Sequence, residues 1–176
     1  LLTGIYHAAL IPSGLSPDAA FGAGQQQADL PIDHLNSLGG LVPGVLPIVL
    51  DIESFSRPSG AGAAVVTNFS LGFVSRVKER TGKNAIIYSN LNFIKSYLIS
   101  NDLANNPLWI ANYTETSNPS VVPSRGCVRT IWSISNCDKA WSFWQYTDRG
   151  DGQRRSEEHT SELQSLAYLV CRLLLE

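Results

Sequence analysis

Apolar residues recur in two rhythms along the chain, and each change of rhythm marks an element. Gly4 to Leu10 is a short apolar run that reads as a buried strand. Pro12 to Pro17 is a loop, with Ser16 or Asp18 placed to cap a helix. Ala19 to Leu38 suits a helix that Pro31 kinks or divides and Gly39-Gly40 ends. Ile48 to Ile52 is a run of β-formers, followed by a Gly/Ser/Pro loop from Ser56 to Ala64. Val66, Phe69, Phe73 and Val77 then repeat at helical spacing, with Arg76, Lys78 and Glu79 turned outward and Gly82 as the C-cap.

Asn84 to Ser89 reads as the next strand, and Asn90 caps a helix that carries Leu91, Ile94 and Leu98 on one face. Pro107 to Tyr113 is a strand and Thr114 to Arg125 a loop. Arg129 to Ile134 is read as a further strand, and Ala140 to Tyr146 as the last clear one. Strands that alternate with helices across short loops argue for a parallel α/β sheet or barrel. No internal repeat and no low-complexity segment stands out.

Composition narrows the class without naming it. Of the 176 residues, 44% are hydrophobic and 16% charged, which fits a globular domain. The net charge of -2 gives no basis for a nucleic-acid partner or for an acidic membrane surface. No apolar run is long enough to span a bilayer. The chain contains no Met and opens on residues that read as the interior of a domain.

Its end reads differently. Arg155 to Ser165 matches the in-frame translation of a common sequencing adapter, and Leu169 to Leu175 matches that adapter's continuation. The expected organisation is therefore a partial catalytic domain over residues 1–153 and a tail without evolved function over 154–176. Local propensity would still allow the tail a helix. Setting aside Arg155 to Glu176, with two arginines and four glutamates, leaves 11 basic and 11 acidic residues, a neutral remainder. His159 and Cys171 leave with it. Cys127 and Cys137 remain, either as two thiols or as a disulfide closing a short loop.

The chemistry gathers around Pro47 to Phe55. Asp51 and Glu53 are two apart, so on a strand they share one face while Leu50 and Ile52 share the other. Two ionised acids side by side repel, which raises one pKa and suits acid/base work near neutral pH. A strand end with two solvated acids is the plain alternative. Aromatic and polar residues cluster near the ends of the other strands: Tyr6 and His7, Tyr88, Trp109 and Tyr113, and Trp144 to Tyr146. Taken singly, each aromatic is explained by core packing. Together, at strand ends, they suit sugar rings with flat apolar faces and polar edges.

These pieces resemble glycoside hydrolase family 25, the Chalaropsis-type lysozymes or N-acetylmuramidases. The resemblance is carried by Gly4 to His7, by Val49-Leu50-Asp51-Ile52-Glu53, and by Ile87-Tyr88-Ser89. Leu108 to Tyr113 and Trp144-Gln145-Tyr146 with Gly150 complete it. It implies a modified (β/α) TIM-like barrel and a retaining hydrolase. Its substrate would be the β-1,4 bond between N-acetylmuramic acid and N-acetylglucosamine in peptidoglycan. Neither metal nor cofactor would be needed.

By the same resemblance Glu53 is the general acid/base. Asp51 stabilises the oxocarbenium-like centre, orients the acetamido group, or acts as nucleophile. Tyr6, Tyr88, Trp109, Tyr113, Trp144 and Gln145 line the glycan cleft. The expected protein is a monomer, directed to the cell wall or secreted, with no nucleic-acid or membrane partner.

Two departures from the family pattern shape the expectation. The family's first two strands, with an active-site Asp, and its last strand, with another acid, have no counterpart here. A barrel lacking them stays open, so the chain by itself is expected to be inactive and prone to aggregate. Two rivals stand beside this reading. One is another barrel glycosidase such as a family 18 chitinase, although Val49 sits where that family has an Asp. The other is a cell-wall glycan-binding module that does not hydrolyse.

Overall fold

The computed structural model describes residues 3–112, 130–132, 141–145 and 171–173. Its strands are β1 (Tyr6–Ala8), β2 (Val49–Asp51), β3 (Ile86–Asn90), β4 (Leu108–Ala111), β5 (Phe143–Gln145) and β6 (Cys171–Leu173). The helices are α1 (Pro17–Ser37), α2 (Ala63–Thr81) and α3 (Leu91–Tyr97), with 3₁₀ turns at Ser54–Ser56 and Asn101–Asn105. The strands lie in chain order in a single sheet. β1 to β5 pair in parallel, and β6 joins β5 antiparallel. Among the described residues β1 and β6 do not pair.

Local chemistry accounts for the helix ends. Ser16 caps α1 by accepting the Ala19 N–H, with Pro17 at the first helical position, where a missing N–H costs nothing. Gly39 and Gly40 turn the chain out of the helix at φ of 103° and 77°. Gly82, at φ 70°, caps α2 in the left-handed conformation that Cβ disfavours. Asn90 caps α3 through the Phe93 N–H.

One face of the sheet is covered by the helices. Leu50, Ile52, Ile87, Ile110 and Trp144 meet Phe69, Phe73 and Val77 of α2 and Ile32 of α1 in one core. Burying each large side chain contributes about 2 kcal/mol. His7 also points this way, stacking on Phe73 at 5.6 Å between ring centroids with its Nε2 3.3 Å from Gln27 Oε1.

Helices α1 and α2 are pressed together. A Cβ added at Gly24 would lie 2.0 Å from the Phe69 carbonyl oxygen, and one added at Gly72 would lie 2.0 Å from that of Phe21. Each glycine thus lets a helix backbone touch the other. At the rim of this contact Asp29 accepts from Arg76 Nε at 2.8 Å and from Arg80 Nη1 at 2.7 Å. Those guanidinium hydrogen bonds, Arg76 first, hold the Asp29 carboxyl below the ordinary carboxylate range.

Three expectations are corrected. Pro31 does not divide α1 into two helices; the element is continuous to Ser37, with Pro31 buried. Proline forfeits one backbone donor, and the packing of α1 on α2 outweighs that loss. Thr130 to Trp132 is coil and turn rather than strand, anchored by Trp132 Nε1 donating to the Asn106 carbonyl at 2.8 Å. Cys171–Leu173 is a strand rather than part of a helix, because the outer edge of β5 offers it a hydrogen-bonding ladder. The segment from Thr114 to Arg125 and the pair Cys127 and Cys137 lie outside the described residues.

Candidate active site

The parallel register brings the predicted residues into rows. Ala8, Asp51, Tyr88, Trp109 and Phe143 are neighbours across the sheet. The row above them on the other face holds Ser89, Ile110 and Trp144. Side chains in one parallel row point the same way and alternate along each strand. Asp51, Glu53, Tyr6, Tyr88, Trp109 and Gln145 therefore share the face opposite the helices.

Glu53 lies just beyond β2, yet its backbone remains extended at φ -141° and ψ -168°, so the alternation carries through to it. Its N–H donates to Ser56 Oγ at 3.1 Å, and the Ser56 N–H donates back to the Glu53 carbonyl at 3.0 Å. The following 3₁₀ turn thus pins the backbone that presents the acid. Asn90 Nδ2 donates to Glu53 Oε1 at 3.1 Å. The sequence marks Asn90 only as a helix cap; its second arm becomes visible once β2 and β3 lie side by side.

Around the acids, Tyr88 packs edge-on against Trp109 at 5.2 Å and donates its hydroxyl to Gln145 Oε1 at 2.6 Å. Trp109 continues to Phe143 at 6.0 Å. Tyr6 stands at the exposed edge, 42% accessible. Trp144 departs from the expected cleft lining. It is 2% accessible, packs in the helix-side core, and its Nε1 donates to the Asn112 carbonyl at 2.9 Å. One register step separates it from the Trp109 face. Tyr113 lies outside the described residues. Among the described residues, no group of three or more His, Cys, Asp or Glu side chains gathers to hold a metal, and no helix is long and apolar enough to cross a membrane.

Asp51 Oδ1 and Trp109 Nε1 are both buried without a hydrogen-bond partner among the described residues. Burial, and then the charge of Glu53, push the Asp51 carboxyl up to about 7 from its ordinary 3.8. The folded chain therefore holds this proton more tightly than the unfolded one. Between those two values the folded state carries more protons, so stability is greatest below the window and falls as pH rises through it. Asp51→Asn is expected to flatten that slope and to raise the urea midpoint at about pH 8. An unaltered slope in this variant would show that Asp51 is not its source.

An open parallel sheet with paired acids and aromatic neighbours at its strand ends is the framework of a barrel glycosidase. The sequence model of Glycosyl hydrolases family 25 matches residues 17–153, and the chain belongs to that family.

Solved structures agree with this. The spore cortex lytic enzyme SleM of Clostridium perfringens is 31% identical with a TM-score of 0.61, covering 84% of this chain and 44% of that one. The bacterial lysozyme from Streptomyces coelicolor is 29% identical with a TM-score of 0.54, covering 84% and 60%. The muramidase from Trichobolus zukalii is 26% identical with a TM-score of 0.55, covering 84% and 62%. The chain thus spans between 44% and 62% of the length of these relatives. Among curated proteins there is no match.

Proposed function

We propose that the protein acts on peptidoglycan, hydrolysing the β-1,4 bond between N-acetylmuramic acid and N-acetylglucosamine with retention. The observation that carries this is that Asp51 and Glu53 share the face that Tyr88 and Trp109 line. Two carboxyls on one face can supply the acid and the negative charge that glycosidic cleavage uses.

Glu53, at the strand end and held by Asn90, is the acid that protonates the leaving oxygen and then the base that activates water. Asp51 lies deeper and faces the developing positive charge, as stabiliser, nucleophile or orienter of the acetamido group. Tyr88 and Trp109 form the wall against which a sugar ring lies, and Gln145 fixes the Tyr88 hydroxyl. Tyr6 borders the same face, and Tyr113 is proposed as a further glycan contact from the family resemblance alone. The protein works as a monomer outside the cell or at the wall, without a metal or cofactor.

Among the described residues β1 and β6 do not pair, and the reading is that the chain by itself turns over little substrate. The experiment pairs it with a version whose barrel is closed by the outer strands of the Streptomyces coelicolor lysozyme. Digested peptidoglycan is then reduced and its new sugar ends are identified. Muramic acid ends from the closed version, and few or none from the chain alone, are expected. New glucosamine ends would assign a different glycosidase. Retention on cell walls with no new ends would assign a binding module.

A further inference from the structure

Asn90 ends β3 and opens α3, and its side chain works in two directions. Oδ1 accepts the Phe93 N–H at 3.0 Å, while Nδ2 donates to Glu53 Oε1 at 3.1 Å. The cap settles which way the amide lies, since an amide nitrogen cannot accept the Phe93 N–H. The edge that meets Glu53 is therefore purely a donor. A donor favours the ionised carboxylate over the protonated acid. It also occupies Oε1, which directs a proton on Glu53 to Oε2.

We propose that Asn90 is a positioning residue that couples the capped start of α3 to Glu53. It orients the carboxylate and leaves Oε2 as the oxygen that gives and takes the proton. The turn after β2 anchors the Glu53 backbone through Ser56, and Asn90 adds a hold on the carboxylate from β3. The titratable groups sharing the Glu53 face are Asp51 on β2, Tyr88 on β3 and Tyr6 on β1. β4 and β5 present Trp109, Ala111, Phe143 and Gln145, which carry no charge. Arg57 is turned elsewhere, with Nη1 on the Ala61 carbonyl at 2.7 Å and its guanidinium 4.7 Å from the centre of the Tyr97 ring.

The proposal rests on the reading of Glu53 as the acid of the pair, but its test reads the carboxylate's surroundings rather than glycan cleavage. The full chain is labelled with ¹³C at the glutamate carboxyls, and Glu53 is assigned with Glu53→Gln. The side-chain amide protons of Asn90 should move in Glu53→Ala, which removes their acceptor. Asn90→Ser and Asn90→Asp both keep a capping oxygen and lose the donor. At fixed pH the Glu53 carboxyl resonance should move in the Ser variant, and further in the Asp variant, which faces it with a second carboxyl.

Thermal midpoints should stay near that of the parent chain, which separates loss of the donor from loss of the cap. An unmoved Glu53 carboxyl resonance in both variants overturns the proposal. So do Asn90 amide protons indifferent to Glu53→Ala, a measurement that stands even where an Asn90 variant fails to fold. Glycan cleavage is scored separately. A resonance change without cleavage in the closed barrel sinks the glycosidase reading alone, and cleavage without that change sinks the role of Asn90 alone.

Discussion

Glu53→Gln, placed in the closed-barrel version, is expected to lower glycan cleavage about 1,000-fold, the scale on which a positioned acid/base contributes. The variant keeps the shape of the side chain and an oxygen able to accept from Asn90 Nδ2, so the fold and the sugar wall persist. The loss should fall on kcat and leave KM nearly unchanged, because the missing proton matters in the transition state and not in ground-state binding. Kinetics on a soluble glycan of alternating muramic acid and glucosamine units separate the two constants. A drop of less than about tenfold would remove Glu53 from the acid/base role.

The second large effect is structural. Gly72→Ala should destabilise the fold by about 3 kcal/mol or more, at the upper end of what overpacking costs. The new Cβ would meet the Phe21 carbonyl at 2.0 Å, and a helix backbone cannot step aside as a flexible side chain can. In urea this should lower the midpoint by about 1–2 M. Gly22→Ala is the control. It lies in the same helix as Gly24, but nothing stands within 4 Å of its added Cβ. Helix propensity alone then predicts a gain of about 1 kcal/mol. Equal responses at the two positions would mean that α1 and α2 do not touch through their backbones.

Much of the architecture could be read from the chain because its signals are local. The Phe69, Phe73 and Val77 stripe, the Gly82 cap and the Ser16 and Asn90 caps each depend on neighbours a few residues away. Asp51 and Glu53 fall on one face by alternation alone. Trp109 and Trp144 show where this stops. Both are aromatic and both lie within a strand, but their faces depend on the register between β4 and β5. A slip of one residue exchanges the faces, and register is set by packing that a single sequence does not display. The Asn90 contact with Glu53 is hidden for the same reason, since 37 residues separate the partners. Pro31 misleads in the opposite sense: its local penalty is real, and the long-range burial of α1 outweighs it.

The pressed helices also bear on how this sequence can drift. Gly24 and Gly72 each admit the other helix, so they are not two separate constraints. Once one acquires a side chain, the helices must separate, and much of the cost of altering the other has already been met. The positions are thus epistatic, with the pair of changes costing less than their sum. Separation would also loosen Asp29 from Arg76 and Arg80 and draw Phe73 away from the His7 ring. Substitutions at those five sites become tolerable only in lineages where the glycines have already changed. The contact therefore links residues on the far side of the sheet from the acids into one inherited unit.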